Sequence, residues 1–191
     1  MPSATLRTVV GVPPVEAHSL PAQQQWVLAL MDQHGARLVQ MLWRILGSEQ
    51  DVLDAYQECF CRLLQLPAGQ QLSNRRAYLF SLAANLAVDM LRRRRTATTH
   101  RDDYARSRHG RPGDPSPPVQ CDQRELVQSM RENITRLPRP WQQVLLLHDL
   151  AELKYHQIAS QLGISVGTAR VYRCKAIRAL ARLMKHADRS G

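Results

Sequence analysis

The sequence predicts an all-α protein in which two small helical domains are joined by a flexible linker. Apolar residues recur at three- and four-residue steps in both halves of the chain, and no alternating run is long enough to propose a sheet. Between the halves, residues 96–122 lose this periodicity and are rich in Arg, Asp, Gly, Ser and Pro. We therefore expect a flexible tail at 1–21, a first domain at 22–95, the linker at 96–122 and a second domain at 123–191.

Three amphipathic helices are predicted in the first domain. The first has an apolar stripe from Val27 to Ile45, and Gly47 is expected to end it. The second begins after a cap at Ser48, with acidic residues in its first turn. Its predicted buried face consists of Val52, Tyr56, Phe60, Leu63 and Leu64. After a polar loop at 67–74, the third helix is predicted at 75–95 and ends in four arginines.

The second domain contains a predicted helix-turn-helix at 155–170. Gly163 suits a left-handed turn residue, Ile164 is expected to fill the core, and Ser165 is expected to cap the following helix. An earlier helix of this domain is expected to bury Leu126, Val127, Met130, Ile134 and Leu137. We call the helix after Ser165 the reading helix, because the second helix of such a unit enters the major groove of DNA.

The charge of the chain indicates a polyanionic partner. Its formal net charge is +10 and its pI is about 10.2, which favours association with nucleic acid through counterion release. No apolar stretch approaches the roughly 18 to 20 residues of a membrane helix, so no membrane span is expected. Sparse, unpaired cysteines favour a reduced, cytoplasmic protein, and Cys59 and Cys61 are expected on different helix faces rather than in one metal site.

An enzyme would have to use the cluster of His and Asp residues at 100–109. These residues lie in the predicted linker, where nothing would hold them in a fixed geometry. We therefore expect no catalytic residues, no cofactor and no metal.

Two helices carry the signals of a nucleic-acid interface. On the reading helix, the candidates for base and phosphate contacts are Thr168, Arg170, Val171, Arg173, Cys174 and Lys175. On the third helix, Tyr78, Phe80 and Asn85 lie beside arginines, a set that suits melted DNA. The alternatives are a plain helical hairpin with a solvated basic face and, for the third helix, a buried Phe80 with arginines that only complement the helix dipole.

Three segments resemble one known family. Residues 51–64 look like region 2.2 of the sigma-70 family of bacterial transcription initiation factors, residues 74–94 resemble regions 2.3 and 2.4, and residues 137–180 resemble region 4. The matches to region 2.2 are Asp51, Asp54, Gln57, Glu58, Phe60, Arg62 and Leu63. The likeness is to the small extracytoplasmic-function (ECF) group, and residues 171–176 are similar to its iron-starvation subgroup.

The resemblance implies an alternative sigma factor that binds core RNA polymerase and promoter DNA. The residues expected on the clamp helices of the β′ subunit are Asp51, Asp54, Gln57 and Glu58. Those expected at the minus-10 element are Asn74, Arg75, Arg76, Tyr78, Asn85, Arg92 and Arg93, with loop 67–74 and Asn85 forming a pocket for a flipped base. The second domain is expected to touch the β flap and to contact the minus-35 element through Ser165, Thr168, Arg170, Val171, Arg173, Cys174 and Lys175.

Two positions of the reading helix depart from the family pattern. The family usually has an apolar residue where Arg173 stands and a polar one where Val171 stands, and Tyr172 is a candidate for the replacement core contact. The resemblance also implies a regulating anti-sigma factor. The alternative interpretation is a stand-alone, dimeric helix-turn-helix regulator, but an acidic face on a basic chain suits a protein partner better than DNA.

Overall fold

The computed structural model describes residues 22–67, 72–106 and 118–187, and within these ranges all regular structure is helical. The expected all-α class is confirmed. The predicted tail at 1–21, part of the 67–74 loop and the middle of the predicted linker lie outside the described residues.

The first lobe consists of α1 (Ala22–Leu46), α2 (Glu49–Leu64) and α3 (Arg75–Arg106). Gly47 ends α1 with φ 69°, a left-handed conformation that glycine adopts without the Cβ penalty of other residues. The three helices pack through a buried stripe of aliphatic side chains and Phe80, which is fully buried. Phe80 is therefore a core residue, as the alternative interpretation of α3 held.

The second lobe consists of α4 (Pro118–Arg136), α5 (Arg139–Leu145), α6 (Tyr155–Leu162) and α7 (Val166–Ala187). A π-helical turn, Leu146–Leu150, continues α5, and the sequence pattern did not predict it. A single π turn inserts one residue into a helix and changes which side chains face the core.

The helix bounds differ from the prediction at both ends of the expected linker. Helix α3 continues to Arg106 rather than ending at residue 95, and α4 begins at Pro118 rather than near residue 123. No glycine or proline lies between residues 75 and 106, and extending an existing helix costs little once it has nucleated. Proline suits the first turn of α4, where its missing N–H has no partner to lose.

Some residues predicted to be buried are exposed. Leu64 at the end of α2 is 45% exposed, and on α4 the side chains of Leu126, Val127 and Met130 are 51%, 43% and 40% exposed. Their spacing is amphipathic, but the residues of this stripe that pack into an apolar cluster are Ile134 and Leu137, near the end of α4.

The two lobes pack against each other. One apolar cluster contains the buried stripe of the first lobe and also Val144, Leu147, Leu153 and Ile158 of the second. Helix α3 lies at the centre of this contact, since it touches α4, α5, α6 and the π turn. A smaller cluster inside the second lobe joins α7 to Leu137 and Trp141.

Candidate nucleic-acid interface

The helix-turn-helix has the geometry expected from its sequence. Gly163 has φ 66°, and the next N–H, of Ile164, donates to the carbonyl of Ala159 at 3.0 Å. Ser165 Oγ accepts from the backbone N–H of Thr168 at 3.0 Å and lies 2.8 Å from its hydroxyl, which caps α7. Ile158 is fully buried beneath the turn. The turn and the cap thus fix the direction in which the reading helix α7 leaves the lobe.

The outer face of α7 is basic and exposed. Arg170, Val171, Cys174 and Lys175 are all exposed, and Val171 is 49% exposed. The Arg170 guanidinium lies over the ring of Tyr155 at 5.6 Å, a contact that orients a cation without neutralising it. These four residues offer two cations and an apolar strip to a groove of DNA.

Arg173 is turned toward its own lobe instead. Its Nε donates to both carboxylate oxygens of Asp149, at 2.9 and 3.1 Å, and a terminal nitrogen lies 2.8 Å from Oδ1. Hydrogen bonding to Asp149 raises the pKa of Arg173 above its ordinary value. This pair joins α7 to the π turn, and Tyr172 packs against the main apolar cluster beside it. The sequence placed Asp149 only at a helix end and did not connect it to Arg173.

Asp149 is presented by the π turn together with His148. The His148 ring stacks on Tyr155 with a centroid distance of 4.2 Å, and its Nδ1 lies 3.0 Å from the carbonyl oxygen of Leu153. His148, Tyr155 and Arg170 therefore form a stacked column at the start of the reading helix. Both members of the His148–Asp149 pair have structural partners.

The residues predicted for the minus-10 element lie along α3 and at its start. Asn74 caps this helix, since its Oδ1 accepts from the N–H of Ala77 at 2.9 Å. Arg75 lies 5.0 Å from the ring centroid of Trp26. Tyr78 is half-buried against the core, and Arg93 is exposed.

Three other members of this set contact the second lobe. Arg76 donates to the carbonyl oxygen of Ala151 at 3.4 Å, and burial lowers its pKa. Asn85 Oδ1 accepts from Gln143 Nε2 at 2.9 Å. Arg92 donates to Oε1 of Gln142, the residue before Gln143, at 3.4 Å. Sequence reasoning missed both glutamines, because their side chains are recognised as covered only through their partners on α3.

The acidic face of α2 is only partly open. Asp54, Gln57 and Glu58 are exposed, and Glu58 accepts from Arg62 Nε at 2.6 Å one turn away. The Asp51 side chain is 13% exposed and forms an ion pair with Arg94 of α3. The structure thus brings Asp54, Gln57 and Glu58 together on the surface and turns Asp51 toward α3.

The described residues also show where metal ligands and cysteines lie. No group of three His, Cys, Asp or Glu residues there is arranged to hold a metal ion. Cys59 is buried and Cys61 exposed, so the prediction of different faces is confirmed. Burial raises the pKa of the Cys59 thiol to about 12. None of the described helices is both long enough and apolar enough to cross a membrane.

Comparison with known families places both lobes. Residues 30–97 match the family described as Sigma-70 region 2, and residues 128–180 match Sigma-70, region 4. SigE of Mycolicibacterium smegmatis, an ECF RNA polymerase sigma factor, is 28% identical over 143 residues, which cover 74% of this chain and 54% of SigE. The chain belongs to the ECF group of the sigma-70 family.

Two further relatives define how far the likeness extends. The ferric citrate uptake sigma factor FecI of Escherichia coli K12 is 28% identical over 149 residues, which cover 78% of this chain and 85% of FecI. The probable ECF sigma factor SigI of Mycobacterium tuberculosis is 29% identical over 153 residues, which cover 78% of this chain and 52% of SigI. This family member therefore spans about half the length of SigE and of SigI.

Among solved structures, this family member resembles CnrH, which was determined in complex with the cytosolic domain of CnrY. The TM-score is 0.52 at 21% sequence identity, and the alignment covers 89% of this chain and 92% of the other. The likeness shows a shared fold. The assignment of the first lobe to region 2 and of the second to region 4 rests on the family matches at residues 30–97 and 128–180.

Proposed function

We propose that this chain is an alternative sigma factor that binds core RNA polymerase and directs promoter-specific transcription initiation. The observation that carries the proposal is the order of its two lobes. A region 2 match is followed by a region 4 match, and the second lobe has a capped helix-turn-helix with an exposed basic reading helix. Such a chain needs no covalent chemistry of its own, so we propose that it is not an enzyme.

We propose that the second lobe contacts the minus-35 element and touches the β flap. Arg170 and Lys175 are placed to contact guanine edges or phosphates, while Val171 and Cys174 offer apolar contacts such as to a thymine methyl group. The cap residues Ser165 and Thr168, at the helix N-terminus, suit a phosphate. Arg173 is the exception. Its side chain is held by Asp149, so we assign it to positioning the reading helix rather than to a base.

The test of this helix compares exposed basic residues along α7. Arg170→Ala and Lys175→Ala should each weaken minus-35-dependent transcription by about fivefold to a hundredfold, which is about 1 to 3 kcal/mol for a good base contact. Arg182→Ala is the matched control, because Arg182 is exposed on the same helix beyond the proposed contacts. Equal effects at all three positions would indicate only a diffuse basic surface.

We propose that the first lobe binds and opens the minus-10 element. The proposed contacts are Asn74, Arg75, Arg76, Tyr78, Asn85, Arg92 and Arg93, which line α3 and its start. An amide beside a row of guanidinium groups can hydrogen-bond an unstacked base while the cations follow the phosphates. Phe80 is excluded from base stacking because it is fully buried.

We propose that the exposed acidic face of α2 docks on the β′ clamp helices. Asp54, Gln57 and Glu58 are open to solvent, whereas Asp51 supports the face through its ion pair with Arg94. Replacing Asp54 and Glu58 with alanine should lower affinity for core polymerase by about tenfold, or about 1.4 kcal/mol. Asp32→Ala, an exposed acid on α1, is the control. An undiminished affinity for core polymerase would show that α2 is not part of the docking surface.

We further propose that the protein acts in the cytoplasm and is regulated by an anti-sigma factor. Its charge suits nucleic acid, and membership of the ECF group favours such a regulator. The similarity to FecI and the resemblance of residues 171–176 support an iron-starvation-like role. Transcripts that depend on the chain should then rise when iron is removed from the growth medium, and an unchanged set would contradict this assignment.

The first experiment is transcription from a genomic fragment library with purified core polymerase, with and without this chain. New transcript starts that require the chain and share two spaced upstream elements are the expected result. If no new starts appear but the chain alone retains particular duplex fragments, it is the stand-alone helix-turn-helix regulator instead. A stable symmetric dimer in solution would support that second result.

A further inference from the structure

Each of the two cations proposed to contact DNA from the reading helix lies over an aromatic ring of an earlier helix in the same lobe. The Arg170 guanidinium lies 5.6 Å from the ring centroid of Tyr155, and the Lys175 ammonium lies 5.6 Å from that of Trp141. Tyr155 begins α6, and Trp141 belongs to α5. Such rings restrict where the two exposed side chains point, which lowers the entropy that they lose when they bind DNA.

The Tyr155 ring is itself held in place. His148 stacks on it at a centroid distance of 4.2 Å, and Nδ1 of His148 lies 3.0 Å from the carbonyl oxygen of the buried Leu153. The backbone beside Tyr155 is capped, because Gln157 Oε1 accepts from the N–H of Lys154 at 3.0 Å. The Arg170 guanidinium therefore lies on a ring whose position is set by the fold of the lobe.

Two arginines of the reading helix contact Tyr155, and they differ in the donors that they offer to DNA. Arg173 donates from Nε to both carboxylate oxygens of Asp149; this contact, and to a smaller extent one with the Tyr155 hydroxyl, raises its pKa. Arg170 lies over the ring face instead. A cation over a ring interacts through its charge and uses none of the five N–H donors of a guanidinium. Arg170 thus keeps its planar fork for a bidentate contact with guanine.

Lys175 differs from Arg170 in its chemistry and in its place on the helix. An ammonium group is a compact charge without a planar fork, which suits a phosphate oxygen better than a base edge. Arg170 lies about one turn after Val166, where α7 begins, and Lys175 lies more than a turn beyond Arg170. The N-terminal residues of a recognition helix are those that contact base edges. Of the two cations, Arg170 therefore suits a base and Lys175 a phosphate.

We propose that Tyr155 is a positioning residue that directs the Arg170 guanidinium at one base pair of the minus-35 element and thereby determines the base preference of the chain at that position. This inference rests on the proposed function for the role of the reading helix. It also separates two roles that charge alone does not distinguish. Arg170 discriminates between bases, whereas Lys175 binds the DNA backbone whatever the sequence.

The experiment uses a promoter recovered from the genomic fragment library, with its upstream element randomised. Core polymerase and the full chain transcribe this pool, and a barcode in the transcribed region identifies the upstream element of each transcript. Sequencing then gives the base preference at every position of the element, separately from the total amount of transcription. Urea unfolding of each variant shows whether it is folded.

The decisive variant is Tyr155→Leu, which removes the ring and keeps an apolar side chain. Base preference at one position should fall by about fivefold, corresponding to about 1 kcal/mol. Arg170→Ala should lower the preference at the same position, whereas Lys175→Ala should weaken transcription from all elements alike. Tyr155→Phe is the matched control, because it keeps the ring under Arg170 and loses only the hydroxyl that contacts Arg173.

Two further variants keep the inference testable. Arg170→Lys retains the charge over the ring without the planar fork, so it should lose the base preference and keep the salt dependence of promoter binding. If Tyr155→Leu does not fold, His148→Leu takes its place. It removes the partner that stacks on the ring, and it should lower the preference at the position affected by Arg170→Ala.

Each outcome decides the inference. A loss of preference at one shared position in Tyr155→Leu and Arg170→Ala, with Tyr155→Phe unchanged, supports it. A uniform loss at all positions in Tyr155→Leu, or the same loss in Tyr155→Phe, overturns it. If the unmodified chain gives no minus-35-dependent transcription, the proposed function is wrong, and binding of the same randomised duplexes by the chain alone then decides the role of Tyr155.

Discussion

Replacing Asp149 tests whether Arg173 holds the reading helix or contacts DNA. Three nitrogen–oxygen distances between 2.8 and 3.1 Å join the two side chains, which are 32% and 31% exposed. Hydrogen bonds to charged groups contribute about 1.5 to 3 kcal/mol when shielded, and exposed ion pairs about 0 to 1. At this intermediate exposure, we expect a coupling of about 1 to 2 kcal/mol.

The assay is a double-mutant cycle of Asp149→Ala, Arg173→Ala and the double variant, measured by urea unfolding and by minus-35-dependent transcription. If Arg173 positions α7, either single change should lower transcription by a similar factor, and the double change should cost little more. The expected factor is about 5 to 30. If Arg173→Ala abolishes promoter use while Asp149→Ala leaves it unchanged, Arg173 contacts DNA and the positioning role is wrong.

The other predictions concern glycine conformation and thiol reactivity. Gly163→Ala should destabilise the fold by about 1 to 2 kcal/mol through backbone strain alone, since no atom lies within 4 Å of the added Cβ; urea unfolding measures this. Gly47→Ala should cost slightly more, because its Cβ would displace the flexible Arg131 guanidinium from the carbonyl oxygens of Trp43 and Arg44; an equal cost at both glycines would show that these hydrogen bonds contribute little to stability. With its pKa raised by burial to about 12, the Cys59 thiol should resist alkylation at pH 8 while Cys61 reacts, and peptide mapping that finds equal labelling would refute its burial.

The sequence was most informative where structure depends on local rules. A glycine followed by an apolar residue and a serine predicted the turn and cap at Gly163, Ile164 and Ser165, because each position has one stereochemical requirement. The same holds for Gly47 at the end of α1. These requirements are met within a few residues, so tertiary contacts do not override them.

The periodicity of apolar residues could not predict which residues of the two lobes contact each other. An apolar stripe indicates that a helix has a face to cover, but not what covers it, and Leu126 and Met130 remain exposed despite their spacing. Gln142 and Gln143 were overlooked for the converse reason. A glutamine is expected at the surface, and only its partner on α3 reveals that it is covered.

Helix α3 contributes to the contact between the lobes and to the proposed minus-10 surface, which determines how substitutions on it must be interpreted. Asn85→Ala should lower stability, because it removes the acceptor for Gln143, and it should also weaken transcription, because it removes the proposed base contact. Only a change on the second lobe separates the two effects, since Gln143→Ala removes the same hydrogen bond and leaves Asn85 in place. Less transcription with Asn85→Ala than with Gln143→Ala would therefore support both roles of this one side chain, whereas equal transcription would show that Asn85 contacts only the second lobe.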